Sequence, residues 1–174
     1  MIHKLDPLCY TPPMTNKNAK SILSIYFELT RSHFRMKFLH TMIRVSDLTV
    51  SLNFFCNLLG LKELRRRDSD KGRFTLVFLY APKNPESHIE LTYNWDQKEY
   101  TCGSNFGHLA FEVDNIYDLC ATLIDEKVVI NRPPRDGRMA FIRSPDGISI
   151  ELLQKGDPLP LQKPWSIMEN HGDW

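Results

Sequence analysis

From residue 38 onward the apolar and polar positions change period several times, and each change predicts an element. Residues 38–45 alternate as a strand. Asp47 then stands where a helix N-cap belongs, and Leu48, Leu52, Phe55 and Leu59 recur on one helical face up to Gly60, a residue suited to the left-handed stop. Strands are predicted over 61–67, 74–80 and 88–94, with turns at Asp70-Lys71-Gly72 and Pro82-Lys83-Asn84-Pro85 between them. The same order then returns: a strand over 106–113, Asp114 as cap, a helix over 116–126 with Ile116, Leu119, Cys120 and Leu123 inward, and strands over 127–131, 139–143 and 148–154. The pattern predicts an α+β fold of two βαβββ repeats, 38–95 and 106–154, forming curved mixed sheets. A unit of this size cannot close its own core, so the halves must pack on each other or on another chain.

Successive side chains of a strand face opposite ways, which exposes an anomaly. His88, Glu90, Thr92 and Asn94 share one face against Ile89, Leu91, Tyr93 and Trp95; His40 and Arg44 oppose Leu39, Ile43 and Val45. In the second repeat His108 opposes Leu109 and Phe111, and Glu151 opposes Ile150 and Leu152. Each repeat therefore sends one His from its first strand and one Glu from its last to the side away from the helices, the concave side of a curved sheet. Two imidazoles and two carboxylates make an N2O2 donor set for a divalent metal, which would offset the cost of burying them. Cross-strand ion pairs or solvated-face residues are the other reading of each pair. The matched placement in both repeats favours the metal. His3, His33 and His171 lie outside the repeats and His88 has no counterpart in the second; all four read as non-ligands.

The stretches LHTMIRV (39–45), IELTYNW (89–95), FGHLAFEV (106–113) and SPDGISIELL (144–153) resemble the glyoxalase I (lactoylglutathione lyase) family of the vicinal-oxygen-chelate superfamily over about residues 36–154. The resemblance implies metal ligation by His40, Glu90, His108 and Glu151 in a concave site between the two subunits of a homodimer, each subunit contributing one half's ligands. It implies Glu151 as proton donor and acceptor, Glu90 as a second relay, and Arg44 and Asn94 as holders of the glutathione portion, with Arg138 and Met139 as further substrate contacts beside His108. The reaction implied is isomerisation of the methylglyoxal–glutathione hemithioacetal to S-lactoylglutathione. A His as first ligand and the short step from Glu90 to His108 resemble the nickel- or cobalt-activated branch, so Ni2+ is expected, with Co2+ or Zn2+ as the other candidates. A dioxygenase, thiol transferase or epimerase on the same scaffold, or a metal-free binding module, remains the alternative.

Composition narrows the partners. The 174 residues carry 22 Lys/Arg against 21 Asp/Glu, so no net field draws nucleic acid or an anionic membrane. The triplet Arg65-Arg66-Arg67 alternates faces and reads as a solvated edge. The near-neutral total hides a split: residues 1–35 hold five basic residues (Lys4, Lys17, Lys20, Arg31, Arg35) and two acids (Asp6, Glu28) without helical or strand period. This segment is expected to be a disordered extension or the product of a start assigned too far upstream; its apolar stretch is too short to span a bilayer. Residues 155–174, with Pro158, Pro160, Pro164, Trp165 and Trp174, read as a docked C-terminal strap. Cys9, Cys56, Cys102 and Cys120 form no C-x-x-C pair, and free thiols without an export signal set a reducing cytoplasm as the expected location.

Overall fold

The computed structural model describes residues 36–97 and 99–174, so the expectations for 1–35 lie outside the described residues. Two four-stranded sheets carry the architecture. The first is ordered β1-β4-β3-β2, from β1 (His40–Arg44), β2 (Lys62–Ser69), β3 (Phe74–Ala81) and β4 (Asn84–Asn94). The second is ordered β5-β8-β7-β6, from β5 (His108–Val113), β6 (Ile130–Arg132), β7 (Met139–Arg143) and β8 (Ser149–Gln154). In both, the first strand runs parallel to the last and the remaining pairs are antiparallel. The two expected βαβββ repeats are therefore present.

Helix α1 (Leu48–Leu52) is capped by Asp47, whose carboxylate accepts the Val50 N–H at 3.0 Å. It is shorter than the pattern suggests, because residues Asn53–Leu58 continue as a π-helical turn in which the Leu59 N–H reaches the Phe54 carbonyl. The wider turn places Phe54 and Phe55 side by side, both buried, with their rings perpendicular at 5.1 Å. Helix α2 (Ile116–Asp125) is capped by Asn115, not by Asp114. The Asp114 carboxylate is instead taken by the Lys83 ammonium at 2.6 Å, and Asn115 accepts the Tyr117 and Asp118 N–H groups. Gln154 completes this helix start from the end of β8, accepting the Ile116 N–H at 2.9 Å and donating to the Asp114 carbonyl. Among the described residues no helix is long and apolar enough to cross a membrane.

One apolar cluster joins both halves, as the size argument requires. Ile43, Val77, Leu79, Ile89 and Leu91 of the first sheet meet the same cluster as Ala140, Ile142, Ile150 and Leu152 of the second, with Phe55, Ile116, Cys120 and Leu123 from the helical segments. Burial pushes the Cys120 thiol up to about 12, and burial first among its causes raises that of Cys56, so both remain neutral and unreactive near pH 7. Asp146, in the turn before β8, fastens the second half to the first: its carboxylate accepts the Ser46 N–H at 2.9 Å, the Ser46 hydroxyl at 2.6 Å and the Ser51 hydroxyl at 3.3 Å. Asp146→Ala leaves three partly buried donors without their acceptor and is expected to cost about 1–3 kcal/mol in urea unfolding; an unchanged midpoint would show water replacing the carboxylate.

Candidate active site

The register of the sheets explains how each His meets its Glu. In the parallel pair β1/β4, His40 lies opposite His88 and Met42 opposite Glu90, so His40 and Glu90 are diagonal neighbours on the face turned away from the core. The His40 Nε2 and a Glu90 carboxylate oxygen are 3.1 Å apart. In β5/β8, His108 lies opposite Ser149 and Ala110 opposite Glu151, and the corresponding distance is again 3.1 Å. The neighbouring antiparallel strand adds an aromatic ring to each pair. Phe78 stands opposite Glu90 and meets His40 edge-on at 5.5 Å; Phe141 stands opposite Glu151 and meets His108 edge-on at 5.4 Å. Each half thus holds a His–Glu–Phe group of nearly the same geometry. The carboxylates are mostly covered, at 13% and 15% exposure, whereas the imidazoles are open at 36% and 42%.

Within one chain the four donors form two pairs rather than the single cluster that the concave-face reading assembles. Among the described residues no group of three or more His, Cys, Asp or Glu converges. Each pair offers one imidazole nitrogen and carboxylate oxygens, donors that suit a divalent transition metal, but two donor residues are fewer than the three or four that such a site ordinarily takes from protein. The donor chemistry suits a divalent metal, and each pair supplies two of the donor residues such a site takes.

The other expected site residues divide. Arg44 ends β1 on the His40 face and is exposed; Asn94 ends β4 on the Glu90 face and donates to the Tyr100 hydroxyl at 3.0 Å. The Thr92 hydroxyl donates to Glu90 at 3.2 Å. Met139 opens β7 on the face of Phe141, opposite Leu153. Arg138 precedes it, and its guanidinium is committed to the Gly156 carbonyl at 2.9 Å, which anchors the tail. His88 bonds through Nε2 with the Pro85 carbonyl near the start of its own strand, and His171 is held to Asn131 through its backbone N–H and carbonyl.

The arginine triplet alternates as expected, yet it is not a bare edge. Arg66 pairs with Glu63 at 2.8 Å, while Arg65 lays its guanidinium 3.6 Å from the centroid of Phe78, the ring that supports His40. Phe78 and Phe141 escape a reading that seeks only ionisable groups. Their signal is an aromatic residue in the polar-face phase of both repeats, directly opposite each Glu.

Comparison with known proteins follows the same span. Residues 37–152 match the family model described as Glyoxalase/Bleomycin resistance protein/Dioxygenase superfamily. A lactoylglutathione lyase of Neisseria meningitidis is 43% identical over 126 residues, covering 69% of this chain and 91% of that protein. A probable lactoylglutathione lyase of Synechocystis is 42% identical over 125 residues, covering 68% and 95%. Among solved structures, the trypanothione-dependent glyoxalase I of Leishmania major superposes with a TM-score of 0.65 at 40% identity, covering 69% of this chain and 87% of that one.

Proposed function

Because the chain belongs to the glyoxalase/bleomycin resistance protein/dioxygenase superfamily, and within it to the lactoylglutathione lyases, we propose that it isomerises the hemithioacetal of methylglyoxal and glutathione to S-lactoylglutathione at a metal centre formed by His40, Glu90, His108 and Glu151. The observation that carries the assignment of these residues is the doubling of the His–Glu pair at 3.1 Å in both halves. Ion pairs placed for local stability have no reason to recur at the same register with the same ring beside them. The functional unit is a homodimer in which the first-half pair of one chain faces the second-half pair of the other. Two half-sites with open imidazoles support this, as do Phe38, Leu39 and Met42, large apolar residues left 40–62% exposed on or beside β1. The free thiols of Cys56, Cys102 and Cys120 support a cytoplasmic location.

A divalent cation held by this set supplies Lewis-acid stabilisation of the negative charge that develops on the substrate oxygens. Glu151 removes the proton from the carbon next to the carbonyl and returns it to the neighbouring carbon. Its carboxylate is kept mostly dry between Phe141 and His108, which strengthens its interactions with the substrate. Glu90 occupies the equivalent place in the other half and serves as the second relay. Arg44 offers a guanidinium to a glutathione carboxylate, Asn94 both donates and accepts, and Met139 contributes an apolar contact. Nickel is the metal proposed first, with cobalt and zinc behind it, from the His at position 40 and the short connection between Glu90 and His108.

The test is to strip the protein of metal, reload it separately with nickel, cobalt, zinc and manganese, and follow thioester formation from methylglyoxal and glutathione. Turnover with nickel or cobalt is expected to exceed that with zinc; silence with every metal would refute the reading, and full activity in the stripped protein would refute the metal. Arg44→Ala is expected to raise KM by about tenfold or more with kcat little changed, the pattern of a lost charged contact made equally in ground and transition states. An unchanged KM would remove Arg44 from the site.

A further inference from the structure

Phe78 and Phe141 each meet a histidine with the two rings nearly perpendicular, and each is met by one further group. On Phe78 that group is Arg65, whose guanidinium carbon lies 3.6 Å from the ring centroid. On Phe141 it is Trp174, 6.0 Å away with the rings tilted by 34°. The tail carries Trp174 there through a series of anchors. The Leu159 N–H reaches the Gly137 carbonyl at 2.9 Å, and Trp165 is buried and stacked on Tyr117 at 6.1 Å. Arg135 donates to the Met168 carbonyl at 2.9 Å and to the Asn170 side chain at 2.8 Å, Asn131 to the His171 carbonyl at 2.8 Å, and Arg143 to the Asp173 carbonyl at 2.9 Å.

The arginine, unlike the tryptophan, is written into both halves. In the first sheet Arg65 stands opposite Phe78 and Phe78 opposite Glu90; in the second Arg132 stands opposite Phe141 and Phe141 opposite Glu151. The register shifts just before each arginine, between Glu63 and Arg65 and between Ile130 and Arg132, and a bulge of this kind re-aims the side chain that follows. The halves then diverge. Arg132 gives one guanidinium nitrogen to the Met139 carbonyl and another to Asp136 at 2.8 Å. The two acids of β2 are taken by other groups: Glu63 pairs with Arg66 at 2.8 Å, and Asp68 accepts the Thr75 hydroxyl at 2.6 Å. Among the described residues Arg65 makes no ion pair, and its guanidinium lies on the ring although the residue is exposed to water. A solvated edge charge has no need of that place.

Resting on the metal centre proposed above, we infer that Arg65 is a positioning residue for the first-half donors. Its guanidinium holds Phe78, and Phe78 sets the turn of the His40 imidazole, whose Nε2 lies 3.1 Å from Glu90. A histidine aimed in advance leaves less ordering to be done when a cation binds. The sign of the effect separates positioning from charge. A guanidinium near a cation site repels the cation, so removing its charge alone would tighten metal binding. Loss of aim weakens it.

The test measures Ni2+ binding by calorimetry and the visible ligand-field bands of Co2+ on the full-length protein, stripped of metal and reloaded. Partners that orient a metal ligand typically carry about 10- to 100-fold in metal affinity, and Arg65 stands one contact further out. Arg65→Met is therefore expected to weaken Ni2+ binding about three- to tenfold and to shift the Co2+ bands, with the melting temperature unchanged. Arg65→Lys, which keeps the cation and loses the plane, should fall between Arg65→Met and the parent. Arg66→Met removes a charge from the other face of the same strand and should leave the affinity within about twofold of the parent's. Phe78→Leu should cost at least as much as Arg65→Met, and adding Arg65→Met to it should cost nothing further, because the arginine works through the ring. At saturating metal, KM for the hemithioacetal should stay within about twofold of the parent's. Parental or tighter Ni2+ binding in Arg65→Met would overturn the inference, as would an equal loss in Arg66→Met or additive losses in the double variant. A raised KM at saturating metal would do the same by making Arg65 a substrate contact. The outcomes separate from the function itself: a parent protein that binds Ni2+ but forms no thioester defeats the reaction and spares Arg65, whereas Ni2+ bound equally by the parent and Arg65→Met defeats only the role of Arg65.

Discussion

Glu151→Gln is expected to lower kcat by about 10²- to 10⁴-fold, the range in which a positioned acid–base group contributes. Glutamine is nearly isosteric, and Glu151 sits among Phe141, His108 and the buried strand β8, so the substitution should leave the fold intact. What it removes is the negative charge and the ability to take a proton. Two losses are then separable by metal analysis. A variant that retains its metal and loses turnover identifies Glu151 as the base; one that loses both identifies it first as a ligand. A metal-loaded Glu151→Gln protein with near-parental kcat would end the assignment. The equivalent Glu90→Gln substitution carries the same argument for the first half, since its carboxylate occupies the matched position beside His40.

Mixing two inactive chains is expected to restore activity. If each centre takes one half-site from each chain, Glu90→Gln damages the first half only and Glu151→Gln the second half only. After joint unfolding and refolding at equal amounts, half of the dimers are mixed. Each mixed dimer holds one centre with both defects and one with none, so specific activity should return to about a quarter of the parent's. The gain is large because each parent variant starts near zero. Were each centre built within one chain, mixing would restore nothing, and a monomer that turns over substrate would equally rule out the shared centre. The prediction follows from the absence, among the described residues, of any three converging donors.

The metal-ligand candidates were legible because duplication writes them twice. A His at the head of the first strand and a Glu in the last, each out of phase with its apolar neighbours, mark one face of a sheet without any knowledge of the fold. The strands β7 and β8 lie where alternation puts them, at Met139–Arg143 and Ser149–Gln154. The pattern failed where a distant partner decides the local outcome. Asp114 looks as good a cap as Asn115, and only the Lys83 ammonium, 31 positions away, takes it out of that role. Helix α1 stops early because a π-helical turn serves the packing of Phe54 and Phe55 better than a continued 3.6-residue period. β4 begins at Asn84 rather than 88, since its hairpin with β3 extends through a bulge that alternation does not reveal. Asp146 reads as an ordinary turn residue, yet it binds Ser46 across 100 positions. Trp174 reads only as the end of a strap; its place beside Phe141 depends on separate anchors along residues 155–173, none of them periodic.

The path of the tail also decides how the protein should be handled at the bench. Trp174 packs against Phe141, the ring beside His108, so an affinity tag or fluorescent group attached after residue 174 begins next to the candidate site. Such a fusion would place a polyhistidine run, itself a nickel chelator, within reach of the centre whose metal is in question. Preparations for metal analysis and calorimetry therefore need any tag after residue 174 removed by protease before loading.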